Sequence, residues 1–106
     1  PAAAPTAVGN QAVGLDLGAS HGYTSMSFYL HVTAFTGTSV VFIIQTDDNS
    51  GFTPPVTYAT FATVSGRTYE RVRVASAPER YIRWRANSGT FSAVSFAVVA
   101  SPNTTA

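Results

Sequence analysis

The chain has 106 residues, enough for one domain and too few for two. Only 10% of its residues are charged, against about 25% in an average domain, and the net charge is +1. With no Cys, structural disulfides, thiolate metal sites and Cys nucleophiles are excluded, and no apolar run reaches the ~18 residues of a membrane span.

The opening residues, PAAAPTAVGNQAVG, are small and uncharged. Neither basic nor followed by a long apolar stretch, they do not read as a signal peptide. Residues 1–14 are predicted to form an extended arm held by the domain itself, by a neighbouring molecule or, as the favoured reading, by a partner subunit, and residues 101–106 (SPNTTA) a tail. Between them, residues 15–100 read as strands.

An early strand is expected near 12–17. Residues 26–35 (MSFYLHVTAF) put Phe28, Leu30, Val32 and Ala34 on one face. Gly37 is expected to end that strand. The continuous apolar run 39–46 (SVVFIIQT) suits a second strand, buried on both sides. DDNSG (47–51) has the chemistry of a turn, and Pro54-Pro55 prevents a regular ladder. Further strands are predicted at 57–64 (TYATFATV), 67–75 (RTYERVRVA), 80–86 (RYIRWRA) and 90–100 (TFSAVSFAVVA). Asn87-Ser88-Gly89 reads as a hairpin connection between the last two. Val94, Phe96 and Val98 alternate with Phe91, Ala93, Ser95, Ala97 and Val99. No segment carries a helical apolar stripe. The expected fold is all-β, an antiparallel two-sheet sandwich of about seven to eight strands, jelly-roll or immunoglobulin-like, with the N-terminal arm.

The residues offer little for catalysis. His21 and His31 have no acid in a motif-like relation to them, and no G-x-S-x-G elbow exists. Asp47 and Asp48 are adjacent and read as turn residues, while Glu70 and Glu79 are expected to neutralise nearby arginines. The 47–51 segment resembles a calcium loop only superficially, because the EF-hand spacing and its distant Glu are missing. No catalytic residue, metal or cofactor is expected, and the chain is not expected to be an enzyme.

The arginines are the informative feature. There is no Lys, and all six basic residues are Arg, lying between Arg67 and Arg85. Arg71, Arg73, Arg83 and Arg85 fall at period two on two successive strands, with Tyr69 and Tyr81 in phase. If those strands share a sheet, four guanidinium groups share one outward face. Arg binds carboxylates bidentately and stacks on aromatic rings, so Arg71, Arg73, Tyr81, Arg83 and Arg85 are the candidate partner-binding residues. Net charge and the lack of Lys argue against nucleic acid. A weakly charged surface does little to oppose association. Trp84, in phase with Ile82, is expected to anchor the core. Tyr23, Tyr29, Tyr58 and Tyr69 could make a glycan platform.

Two stretches carry a resemblance. Residues 28–53 (FYLHVTAFTGTSVVFIIQTDDNSGFT), with Phe35, Gly37, Thr38, Gln45 and Asp48, resemble a strand–turn–strand of small tailed-phage virion proteins. Residues 80–100, with Arg80, Tyr81, Arg83, Gly89, Thr90, Phe91 and Phe96, are similar to the closing hairpin of the same proteins. The resemblance covers about half the chain; the ends have no counterpart in it. It implies a β-sandwich on the particle surface, as a capsid decoration or minor capsid protein or a tail-associated domain. The implied partners are the major capsid protein or another virion protein, in a homo-oligomer or symmetric assembly, without nucleic acid or membrane. A carbohydrate- or host-surface-binding jelly roll is the alternative.

Overall fold

In a computed structural model, residues 2–3, 9–10, 14–18, 22–52 and 54–104 are described; His21 and positions 12–13 of the expected early strand lie outside them. The β-branched and aromatic runs form strands, and no described residue is helical. The strands are β1 (Ala2–Ala3), β2 (Gly9–Asn10), β3 (Leu15–Asp16), β4 (Tyr23–Asp47), β5 (Val56–Thr60), β6 (Thr68–Val74) and β7 (Tyr81–Thr104). All pairings are antiparallel, within one sheet.

Two long strands organise that sheet. β4 and β7 pair from Tyr23↔Thr104 to Asp47↔Tyr81. A flat strand of the 25 residues of β4 would span roughly 80 Å, yet the molecule's longest dimension is 40 Å. The ladder must therefore bend. Its register shifts cluster between Val32 and Phe42, and bulges of this kind bend and twist a strand. Gly37 (φ 149°) and Gly89 (φ 128°) sit at the bend. A Cβ on Gly37 would meet the Phe91 backbone, and one on Gly89 would lie 2.7 Å from Val40 Cα. The glycines read as a strand end and a hairpin are corners inside continuous strands.

Bending brings the inner faces of the two halves together. Met26, Phe28, Leu30 and Val32 line one half, and Val40, Phe42 and Ile44 the other, in one buried cluster. Phe96 pairs in register with Val32 but packs against Phe42 (ring centroids 4.3 Å) and edge-on against Trp84 (5.0 Å), both in the opposite half. Phe28 meets Tyr58 of β5 edge-on across the same space. Hydrogen bonding thus gives one curled sheet where two separate sheets were expected, because β4 and β7 run through both layers. The run at 39–46 is buried on both sides toward its end: Phe42 to Asp47 are all buried, and Phe52 (φ 52°) is itself buried beside Gly14.

The outer strands hang on this frame. β6 pairs with residues 26–32 of β4, and β5 with residues 43–46 on the same edge. On the free edge of β7, β1 pairs at Ala97 and Phe96, β2 at Ala86 and Arg85, and β3 at Ile82 and Tyr81. The described parts of the arm are therefore held by the domain's own β7. The expected tail is also strand as far as Thr104, with Ser101 opposite Ser27 and Asn103 opposite Ser25.

Candidate docking face

Strand alternation builds one exposed face on β6, the first half of β4 and the last part of β7. Register places Arg73, Ser27 and Ser101 in one row, Arg71, Tyr29 and Val99 in the next, and Tyr69, His31 and Ala97 in the third; Ser27 is itself buried, so the exposed part of the face lies around the other two rows and Arg73. Tyr69 is 64% exposed and Val99 56%. The Arg71 guanidinium lies 5.9 Å from the Tyr29 ring centroid, and His31 meets Tyr69 edge-on at 6.1 Å. Among the described residues, Arg71 and Arg73 have no ion-pair partner. Two exposed cations thus stand beside apolar and aromatic surface.

The second arginine pair is placed elsewhere. Arg83 and Arg85 lie in the first half of β7, opposite Gln45 and Ile43. β6 and β7 are not neighbours in the sheet; each pairs with β4. The expected surface of four guanidinium groups is split between the two halves. Arg83 is tied down: its Nε donates to Gln45 Oε1 at 2.6 Å, and its guanidinium covers the Phe52 ring at 4.2 Å. Burial, with a smaller contribution from the Arg85 charge, lowers its pKa from the ordinary value. Arg85 Nε donates to Asn87 Oδ1 at 3.0 Å. Tyr81 stands under Arg80, 5.0 Å from guanidinium to ring centroid, and Arg80 itself holds Asp16 with two hydrogen bonds of 2.9 and 3.0 Å. Of the five candidate residues, only Arg71 and Arg73 share the exposed face. Tyr29, His31 and Val99 join them, and were legible only as the in-phase partners of Arg71 and Tyr69 once register is known.

Other expectations are corrected by the side-chain contacts. Glu70 neutralises no arginine among the described residues; both its oxygens accept the Ala62 N–H, at 2.9 and 3.1 Å, clipping the connection between β5 and β6. Glu79 likewise pairs with no arginine there. The tyrosines make no single platform: Tyr29 and Tyr69 face outward, while Tyr58 packs on Phe28 and donates its hydroxyl to Ser76 O at 2.6 Å. Burial raises the Tyr58 pKa. Trp84 packs on Phe96 as an anchor would, and it also borders a cavity of about 350 Å³ with Phe28, Ile82 and Val98. His31 has no carboxylate partner among the described residues.

No protein-family model matches this chain, and no similar curated protein is found.

Proposed function

We propose that this chain is a structural accessory protein of a phage particle that docks on its shell, as a capsid decoration or minor capsid protein, through the face of Tyr29, His31, Tyr69, Arg71, Arg73 and Val99. The carrying observation is the pair of arginines without acidic partners among the described residues, set among exposed Tyr69 and Val99. Arg and Tyr are enriched where proteins meet, and such a surface complements carboxylates on the partner. The virion setting rests on the resemblance of residues 28–53 and 80–100. In this reading the curled sheet serves as a two-layer sandwich, of the jelly-roll or immunoglobulin-like kind, whose corners are Gly37 and Gly89.

Size bears on how docking works. Three strands of about seven residues present roughly 300 Å² of face, well under the ~800 Å² per partner of a standard interface. One copy held by this face alone binds weakly, and several copies in a symmetric assembly gain by avidity. Purified protein mixed with undecorated particles is expected to bind at physiological salt and to release as salt rises, because exposed charge pairs are screened. Replacing both Arg71 and Arg73 by Ala is expected to reduce occupancy about tenfold or more, whereas Arg85→Ala, in the other half of the bent ladder, leaves it nearly unchanged. Folded wild-type protein that ignores the particles, or occupancy indifferent to the double substitution, refutes the assignment.

A further inference from the structure

Away from the docking face, the end of β4 and the approach to β7 gather three carboxylates. Asp47 closes β4, Asp48 follows it, and Glu79 lies two residues before Tyr81, the register partner of Asp47. One carboxylate oxygen from each of the three lies within 4.8 Å of the other two. Asp47 is only 5% exposed. Its Oδ1 accepts the Asp48 N–H at 2.6 Å and Asn49 Nδ2 at 3.4 Å. Its Oδ2 is buried and accepts no hydrogen bond from the described residues. Among the described residues none of the three carboxylates is in an ion pair, and Arg80, next to Glu79 in the chain, is engaged with Asp16.

A buried anionic oxygen without a partner is strongly disfavoured, and two more carboxylates nearby worsen the repulsion. A cation among them removes both penalties. We propose that Asp47, Asp48 and Glu79 form a calcium site. Calcium takes oxygen ligands at roughly 2.3–2.6 Å, so oxygens sharing one ion stand no more than about 5 Å apart, a limit that the three carboxylates meet. An all-carboxylate set favours hard cations over zinc. Calcium tolerates the irregular geometry of two adjacent aspartates better than magnesium, which demands a near-ideal octahedron. Asp48 and Glu79 are exposed, leaving room for water to complete the shell. The bound ion would fasten the turn after β4 to the start of β7. The third ligand comes from 31 residues beyond Asp48, which is why no loop motif announces the site.

Calorimetric titration of the full chain with CaCl2, after EDTA treatment and its removal, is expected to show saturable binding with Kd on the order of 10⁻⁴–10⁻³ M. The melting temperature should rise with calcium over the same range. Asp48→Asn and Glu79→Gln, both at exposed positions, should each weaken binding about tenfold or more, because ligand charge sets affinity. Glu70→Gln, outside the cluster, should bind as the wild type does. Folded wild-type protein without saturable binding, full binding retained in both variants, or an equal response to MgCl2 overturns the site.

Discussion

Arg71 and Arg83 show how register, more than residue type, decides what a side chain does. Both alternate with valine or isoleucine in sequence. Arg71 ends beside Tyr29 with no acidic partner among the described residues, and Arg83 ends over Phe52 with its Nε on Gln45. Period-two patterning correctly points both away from the apolar side, but it carries no information about which half of a bent sheet each will occupy. Asp16 and Arg80 make a third case, visible only after folding because 64 residues separate them. The hydrogen bonds from Arg80, then from the Gly18 N–H, lower the Asp16 pKa from its ordinary value of 3.8. A carboxylate whose pKa falls on folding adds stability above its unfolded value, and that gain disappears as pH drops through the folded value. Wild type should thus melt slightly higher than Asp16→Asn at pH 6, by a margin kept small by solvent screening. In melting curves taken against pH, the margin should shrink below about pH 3.8 and vanish in stronger acid. A margin that grows on acidification contradicts the pairing.

At the scale of elements, the strands were legible where alternation is clean. Residues 28–32 and 68–74 have the faces that their sequence periodicity assigns, while Ser27, on the outward side by alternation, is buried. Gly37 and Gly89 were misread because glycine at a bulge and glycine at a chain reversal look alike in sequence. Only the partner strand distinguishes them: Ser88 and Gly89 face Val41 and Val40 in the middle of a ladder. Replacing either glycine by Ala therefore meets both an unfavourable φ and a neighbouring backbone. Each is expected to cost about 1–3 kcal/mol or more in urea unfolding. Gly66→Ala, with open space around its Cβ position and no positive φ, should be neutral or stabilise by up to about 1 kcal/mol. Equal effects at Gly37, Gly66 and Gly89 would mean that the corners are not where the chain bends. The N-terminal arm was legible as a poor core former. Its seat on β7 was not, since two-residue pairings leave no periodicity to read.

Across the whole molecule, Phe96 connects what the bend brings together. It is hydrogen-bonded in one half and packed on Phe42 and Trp84 of the other. Phe96→Ala should lower stability by about 3–5 kcal/mol, and circular dichroism and Trp84 fluorescence should still report one shared transition. Separate transitions would mean the two halves fold independently. The candidate site was partly visible at this scale. Scarce charge and clustered arginines mark a surface suited to neighbours, but the carboxylates of Asp47, Asp48 and Glu79 meet only through the β4–β7 ladder.

That ladder also fixes how the protein answers to force. Tyr23 and Thr104 are register partners at one extremity of the two longest strands. Tension drawing these two residues apart loads the hydrogen bonds one pair at a time, so the strands unzip from that extremity like a peeled seam. Tension along the strand axis would load many pairs at once and meet far greater resistance. An anchor that pulls on the C-terminal end of β7 against Tyr23 would therefore strain the molecule in its weakest direction.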